Sequence, residues 1–243
     1  MITSLAYEAV CDIGCKRSNN EDMAYACGRV VRDGCLEGEV EVSPESVVAF
    51  AVADGMGGYE GGEVASEIVS RSFATFIKGL EEKGRDNILI AIKDWAREAN
   101  SLVLETAGLR EELAEMGTTF VGLILCDSRL WLINIGDSRC YRFRQGVLKQ
   151  MSTDHSERER TGNRNAPSNL IYNYMGNVPE DFISDVTRLE PLEGDVYLLC
   201  SDGLSDLVSD DDIEVAIGSA GRMVELAKEA GGRDNITAVR IRL

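Results

Sequence analysis

The chain has 243 residues, a formal net charge of −17 and a hydrophobic content of 44%. No apolar run approaches the roughly 18 residues that a membrane span needs, and the N-terminus lacks the pattern of a secretory signal, so we expect a soluble cytoplasmic protein without membrane contact. The negative charge repels a phosphodiester backbone and disfavours nucleic acid as a partner. Seven cysteines without a C-x-x-C pair predict no cysteine metal site.

The first third of the chain is predicted to form strands and then two helices. Apolar runs broken by glycines predict strands over 5–10, 23–31 and 47–53. Apolar residues spaced by three and four positions then predict amphipathic helices over about 64–77 and 87–106. We expect these helices to pack together in one layer.

The remaining chain is predicted to be mostly short strands, with a polar segment over 152–181 that we interpret as a lid. Two helices near 210–217 and 220–230 precede the last strand. Strands at both ends, with helices inserted between runs of strands, predict a layered α+β sandwich. The predicted strands after the second helix cover 119–126, 130–135, 140–144, 147–149, 182–188, 195–201 and 236–241.

Aspartates stand at strand ends that are far apart in the sequence. Asp54 and Asp202 each follow a strongly apolar run and precede a glycine, and Asp234 stands just before the last strand. An Asp-Gly pair alone is an ordinary turn signal. A fold that gathers these carboxylates would instead suit a hard cation, which prefers oxygen ligands.

The pentapeptide Gly-Arg-Asp-Asn-Ile occurs twice, over 84–88 and 232–236. The first copy opens the second helix, where Asp86 or Asn87 is a candidate N-cap. The second copy precedes a strand, so helix capping cannot account for Asp234.

Six motifs occur in the order and approximate spacing of one known family. They are GCKRSNNED at 14–22, DGMGG at 54–58, GTT at 117–119, GDSR at 136–139, DGLSD at 202–206 and GRDN at 232–235. With them the chain resembles the metal-dependent protein phosphatases of the PPM or type 2C family, in its bacterial form. The resemblance extends from about residue 12 to the C-terminus.

The resemblance implies a four-layer α-β-β-α sandwich with two central, mostly antiparallel sheets flanked by helix pairs. Residues 1–243 would form one catalytic domain with a shortened lid at about 152–181. Its expected activity is hydrolysis of phosphoserine and phosphothreonine in signalling phosphoproteins, which would be targets of a serine/threonine kinase. We expect a monomer that uses two Mn²⁺ or Mg²⁺ ions.

The resemblance also assigns roles to individual residues. Asp54 would bridge both ions, the backbone carbonyl of Gly55 would bind one ion, and Asp202 with Asp234 would complete the other. These three aspartates form the expected catalytic set, because a water between two ions becomes the nucleophile that attacks phosphorus.

Further residues surround this expected centre. Glu21 and Asp22 would bind directly or through waters, and Asp137 with Asp206 would hold a third, weaker ion. Arg17 would bind the substrate phosphate, for which a planar guanidinium is well matched.

The sequence departs from the family pattern in two places. Met56 follows the first Asp-Gly, where many eukaryotic members have a histidine that can protonate the leaving group. His155 matches a bacterial pattern at the entrance of the lid, where we expect a structural role. The segment after it is shorter and more polar than is usual in the bacterial enzymes.

Two other functions stay open at this point. A pseudophosphatase would keep the fold as a binding or sensing module, but it typically loses metal carboxylates, and all the expected aspartates are present here. A phosphatase for a small phosphorylated metabolite, or a regulator of the anti-sigma-antagonist type, would differ in substrate rather than in mechanism.

Overall fold

The computed structural model describes residues 2–57, 61–83, 87–163 and 170–243. Its strands are two to nine residues long. Their bounds are β1 (Ser4–Asp12), β2 (Met23–Ala26), β3 (Arg29–Val31), β4 (Gly34–Glu41), β5 (Val47–Ala53), β6 (Gly55–Met56), β7 (Gly117–Thr118), β8 (Phe120–Cys126), β9 (Arg129–Ile135), β10 (Arg139–Arg144), β11 (Val147–Gln150), β12 (Asp185–Leu189), β13 (Val196–Cys200) and β14 (Ile236–Arg242).

The strands form two six-stranded sheets. Sheet 1 has the order β11-β10-β13-β14-β1-β4, and sheet 2 has the order β12-β9-β8-β5-β2-β3. Neighbouring strands within both sheets run antiparallel throughout the described residues. Strands β6 and β7 form a separate small pair that joins Gly55 to Thr118.

Helices cover the outer faces of both sheets. Long helices α1 and α2 pack on sheet 2, and α4, α5 and α6 pack on sheet 1. Within the described residues, none of the helices combines the length and the apolar character needed to cross a bilayer. The bounds are α1 (Gly61–Lys83), α2 (Ile88–Ala107), α3 (Glu157–Thr161), α4 (Asp202–Ser205), α5 (Asp210–Ala216) and α6 (Ala220–Glu229).

Strand β5 shows why the central strands read as unbroken apolar runs. Val48, Phe50 and Val52 face sheet 1 across the sandwich, whereas Ala49 and Ala51 face the helices. Successive side chains of a strand point to opposite faces, and here both faces are covered, so every position is apolar. The four-layer α-β-β-α sandwich predicted from the family resemblance is confirmed.

The structure differs from the predicted strands in two places. The predicted strand over 23–31 is a hairpin, because Cys27 and Gly28 both take positive φ values, 48° and 85°, and reverse the chain. Strand β4 was not predicted, because its glycines and exposed acidic residues hide the alternation of an edge strand. Asn87 occupies the N-cap position of α2 at φ 56° without a side-chain capping bond, and the other candidate, Asp86, lies outside the described residues.

Candidate active site

The predicted aspartates converge at one edge of the sandwich. Asp54 directly follows β5, Asp202 begins α4 directly after Ser201, which follows β13, and Asp234 precedes β14 by two residues. The pKa of Asp54 is raised well above its ordinary value by burial and by the negative charges of neighbouring aspartates. Those neighbours come from four separate segments and are Asp22, Asp137, Asp202 and Asp234.

The turn that carries Asp54 is fixed by the two threonines of the GTT motif. The Thr119 amide and the Thr118 hydroxyl donate to the Asp54 carbonyl at 2.8 and 2.9 Å. The Asp54 amide donates in turn to Thr119 Oγ1 at 3.2 Å. These bonds use the polar groups of the Asp54 backbone, so the side chain is held in one direction at the sheet edge.

Gly55 lies where three backbone segments meet. Its amide donates to the Glu21 carbonyl at 3.2 Å, and a Cβ at this position would collide with the carbonyl of Gly62 at the start of α1. Only glycine allows this approach. This collision explains why the residue that follows Asp54 has to be glycine.

Asp22 is fully buried, and only one of its two carboxylate oxygens accepts hydrogen bonds. Ser201 and Thr237 donate their hydroxyls to Oδ2, each at 2.7 Å, while Oδ1 is buried with no hydrogen-bond partner. Burial, together with the nearby Asp202 and Asp234 charges, raises the pKa of this carboxyl to about 7, although the two hydroxyl hydrogen bonds act in the opposite direction. An orphaned carboxylate oxygen in such a place suits a cation, directly or through a bound water.

Asp202 is the first residue of α4. Burial and the charge of Asp234 raise its pKa to about 6, while a hydrogen bond with the Asp54 carboxyl acts in the opposite direction. The shared bond shows that the Asp54 and Asp202 side chains are in direct contact. Two touching carboxylates repel when both are ionised, and a divalent cation between them removes that repulsion.

Arg17 reaches the more exposed side of the site. Its Nη2 donates to Asp234 Oδ2 at 2.7 Å, with the two side chains 47% and 40% exposed. The charges of Glu21 and Asp54 also act on the guanidinium and, with Asp234, raise its pKa. The predicted phosphate-binding arginine therefore lies beside the predicted metal carboxylates.

Asn235 organises this edge and was not singled out by the sequence analysis. Its Oδ1 accepts from the Glu21 amide at 2.9 Å, and its Nδ2 donates to the carbonyls of Ile13 and Asn19 at 3.0 and 2.9 Å. One side chain thus fixes the loop that carries Arg17 and Glu21. The sequence signal for Asn235 was the Asp-Asn pair that both copies of the pentapeptide contain. In the first copy this pair predicted a helix cap, and the asparagine of the second copy was not interpreted.

Asp137 lies at the other end of the site. Its pKa is raised to about 8 by burial and by the charges of Asp202, Asp154 and Asp206. Asp137, Asp202 and Asp206 also line one small polar recess together with Asp154. The sequence analysis missed Asp154. Its carboxylate accepts three hydrogen bonds of 2.7 to 3.1 Å from Arg139 and so holds the guanidinium beside the recess.

His155 has the structural position that the sequence analysis expected. Its buried Nδ1 accepts from the Gly136 amide at 3.2 Å and from Asn173 Nδ2 at 2.7 Å. Since both partners are donors, the ring proton is on Nε2, which faces Asp185 at 3.1 Å. His155 therefore fixes the turn that presents Asp137.

The donor set fits hard divalent cations. Among the described residues, no group of three or more His, Cys, Asp or Glu side chains forms a ready-made metal site, although burial and neighbouring carboxylates raise the pKa values of four aspartates, which are Asp22, Asp54, Asp137 and Asp202. An open set of carboxylates and backbone carbonyls is what Mg²⁺ or Mn²⁺ uses, because these ions keep several waters.

The chain matches a known protein family over most of its length. Residues 24–238 match the family model described as protein phosphatase 2C. The chain belongs to the protein phosphatase 2C family. The family assignment agrees with the six motifs and with the confirmed sandwich.

Two curated 2C-family relatives are similar over most of the chain. The serine/threonine protein phosphatase PstP of Mycobacterium tuberculosis is 35% identical over 252 residues, which cover 97% of this chain but 44% of PstP. The serine/threonine phosphatase stp of Listeria monocytogenes is 32% identical over 236 residues, with 87% of this chain and 91% of that protein covered. The chain thus spans less than half the length of PstP.

Solved structures of PstP superpose on the same fold. The crystal structure of the Mycobacterium tuberculosis phosphatase has a TM-score of 0.81 at 34% identity and covers 99% of both chains. A crystal structure of the PstP catalytic domain in complex with two manganese ions has a TM-score of 0.81 at 33% identity, again over 99% of both chains.

Proposed function

We propose that the chain is a metal-dependent phosphoprotein phosphatase that hydrolyses phosphoserine and phosphothreonine monoesters. The observation that carries this proposal is the buried carboxylate cluster, in which Asp22 has an orphaned oxygen and Asp54 contacts Asp202. Such a cluster is costly unless cations neutralise it. The two manganese ions in the crystal structure of the PstP catalytic domain support the same reading.

Two Mn²⁺ or Mg²⁺ ions would be held at this edge, and when bound they supply the Lewis acidity that activates water for attack on phosphorus. Each proposed ligand offers a carboxylate or carbonyl oxygen. The proposed ligands are Asp54, the carbonyl of Gly55, Asp202, Asp234, Glu21 and Asp22. We propose a third, weaker ion at Asp137 and Asp206.

We propose Arg17 as the group that binds the substrate phosphate. Its guanidinium is half exposed, so a substrate can reach it, and Asp234 holds it at the edge of the site. A planar guanidinium can donate two parallel hydrogen bonds to a phosphate and neutralise the charge of the transferring group. Met56 has no titratable side chain, so the proton for the leaving group has to come from another donor.

We further propose that residues 1–243 act as one catalytic domain and a monomer, and that the segment over 152–181 is a shortened lid. The expected setting is the cytoplasm, with substrates that a serine/threonine kinase phosphorylates. The net charge of −17 continues to disfavour nucleic acid as a partner.

The direct test is hydrolysis of a phosphothreonine peptide with and without Mn²⁺, compared between the natural chain and Asp54→Asn. We expect metal-dependent release of phosphate and a loss of about 100-fold or more in the variant, because a central ligand is removed. Asp127→Asn is the matched control, since Asp127 lies at φ 51° in a hairpin turn, a conformation that asparagine tolerates.

Two results would count against the proposal. Hydrolysis that persists in a chelator, or that Asp54→Asn leaves intact, excludes the metal mechanism. Binding of the phosphopeptide without any hydrolysis at saturating Mn²⁺ favours the pseudophosphatase instead.

A further inference from the structure

A small sheet formed by β6, β7 and the backbone of Met175 lies directly after β5. Gly55 of β6 lies opposite Thr118 of β7. The next pair of this ladder joins Met56 to Gly117. On the other side of β7, Thr118 and Met175 exchange two backbone hydrogen bonds of 3.0 and 2.8 Å. The segment that contains Met175 is therefore fixed to the strand that pairs with β6.

The two faces of this small sheet have different surroundings. Met175 is buried in the core cluster together with side chains of α1 and α2, and a Cβ on Gly55 would meet Gly62 at the start of α1. One face is therefore turned towards the protein core. Asp54 and Met56 flank Gly55 in the sequence, so they point to the opposite face, which is the face of the proposed metal site.

The ring of Tyr174 lies on the same face as Met56. A Cβ on Gly117 would lie 2.7 Å from Cδ2 of the Tyr174 ring and 3.0 Å from its Cε2, so the ring covers this glycine. Opposite residues of an antiparallel pair have their Cβ positions about 5 Å apart on one face, and Gly117 is opposite Met56. The ring and the Met56 side chain are therefore neighbours across Gly117, on the face that carries Asp54.

The backbone next to Tyr174 is anchored on both sides. The buried Asn173 side chain accepts from the Ile183 amide at 3.0 Å and donates to its carbonyl at 2.8 Å, and the Gly176 amide donates to Asn100 of α2 at 2.7 Å. Both side chains of the apolar pair are nevertheless partly exposed, and the tyrosine hydroxyl forms no hydrogen bond within the part of the chain that the structure describes. An aromatic ring that is held in place but left open to water suits contact with another molecule.

We propose that Tyr174 and Met56 form an apolar surface that contacts a residue beside the phosphorylated residue, so that the enzyme prefers phosphopeptides with apolar side chains there. The inference rests on the proposed phosphatase function and adds a substrate class to it. Two residues on one face of a strand, such as Asp54 and Met56, are roughly 7 Å apart, which one or two residues of an extended peptide span. An apolar side chain at that distance buries surface against the ring, whereas a polar side chain loses contact with water.

The test compares two phosphothreonine peptides that differ only in having Leu or Gln at the two residues on each side of the phosphothreonine. With saturating Mn²⁺ we expect kcat/KM of the natural chain to be about 3- to 10-fold higher for the Leu peptide, as for partial burial of one apolar side chain. The preference should persist at high salt, because salt screens charges and not apolar contacts.

Three variants separate the ring from the hydroxyl and from the methionine. In Tyr174→Gln the ratio of the two kcat/KM values should be close to one, and Met56→Gln should lower it as well. Tyr174→Phe should keep the natural ratio, because the ring remains and no described partner loses a hydrogen bond. Each ratio compares two peptides with one enzyme, so a partial loss of folded protein does not change it.

The matched control is Val215→Gln, which removes an apolar side chain that is 88% exposed on α5. This helix lies beside β11 of sheet 1, where Glu214 accepts from the Leu148 amide at 2.7 Å, whereas β5 belongs to sheet 2. The control should keep the natural ratio. An equal kcat/KM for both peptides in the natural chain, an unchanged ratio in Tyr174→Gln, or a ratio lost in Tyr174→Phe overturns the apolar surface alone. Hydrolysis of neither peptide by the natural chain with Mn²⁺ overturns the phosphatase function as well.

Discussion

The two sides of the candidate site differ sharply in their contact with water. Asp22 is 1% exposed, and burial raises its pKa and those of Asp54 and Asp202. The Arg17–Asp234 pair is close to half exposed. The buried side has carboxylates that lack neutralising partners, whereas the exposed side has a carboxylate that already has one.

This contrast indicates that the two sides of the site have different functions. Carboxylates that raise one another's pKa in a buried place destabilise the protein unless cations are present, so their placement is explained by metal binding and not by folding. An exposed ion pair costs little to rearrange, which is what the proposed exchange of Asp234 for a substrate phosphate at Arg17 requires. Four predictions test this division, from the largest expected effect to the smallest.

The largest effect is expected at the contact between buried carboxylates. Asp202→Asn removes a proposed ligand and the hydrogen bond with Asp54, so kcat at saturating Mn²⁺ should fall by about 100-fold or more. Asp206→Asn, which lies one turn further along the chain, should cost much less if it serves only the weaker third ion. Equal losses in the two variants would show that the proposed ranking of the sites is wrong.

Smaller effects, on the free energy of unfolding, are expected when the asparagine of either copy of the pentapeptide is replaced. Asn235→Ala leaves the Glu21 amide and two backbone carbonyls without their partner, which should lower the free energy of unfolding by about 2–3 kcal/mol. Asn87→Gly removes no side-chain capping bond and suits the left-handed φ of 56°, so it should change the free energy of unfolding by less than about 1 kcal/mol. Denaturant unfolding in the presence of a chelator measures the change in the free energy of unfolding for both variants. Equal changes would show that Asn235 is no more important to the fold than Asn87.

The buried side also predicts a pH dependence of stability. Without metal, the pKa values of Asp22 and Asp202 are about 7 and about 6 in the folded chain, against about 3.9 for an unfolded aspartate. The folded state therefore holds protons that the unfolded state has released, so its stability falls as the pH rises through this window. In a chelator, Tm should fall from about pH 5 to about pH 8, and Asp22→Asn should flatten the decline.

Added Mn²⁺ provides the control for this pH prediction. Saturating metal should raise Tm most at high pH, where the carboxylates are ionised and bind the cation best. A chelated protein whose Tm rises with pH, in the natural chain and in Asp22→Asn alike, would contradict the assignment of Asp22 as a strained buried carboxyl.

The smallest effect on stability is expected at the exposed pair. Arg17→Lys should change the free energy of unfolding by less than about 1 kcal/mol, because a half-exposed ion pair is well screened. It should nevertheless raise KM for a phosphopeptide, since an ammonium cannot donate the two parallel bonds of a guanidinium. A large loss of stability with unchanged KM would assign Arg17 to folding and not to phosphate binding.

Much of the fold was predictable because the strongest signals were local. The apolar run before Asp54 and the helical spacing of α1 follow from residues that are close in sequence. Edge strand β4 escaped prediction because its side chains face water on one side and its two glycines interrupt the pattern. Asn87 takes the predicted N-cap position, but it does so in a left-handed conformation in which its side chain makes no capping bond.

The site was less predictable than the fold because its second layer depends on contacts between distant segments. The aspartates were found through their strand ends and their motifs, and the structure brings five of them together. Asn235, Asp154 and the hydrogen bonds of His155 could not be assigned from the sequence, because each joins segments whose proximity only the fold establishes.

The central claim is that the buried carboxylates hold two divalent ions. Calorimetric titration of the chelator-treated natural chain and of Asp54→Asn with Mn²⁺, at neutral pH and without substrate, tests it most directly. We predict two strongly bound ions per natural chain, with at least one of them lost or greatly weakened in Asp54→Asn while the variant remains folded. No tight Mn²⁺ binding by the natural chain, or the same binding by both proteins, would contradict the proposed metal centre.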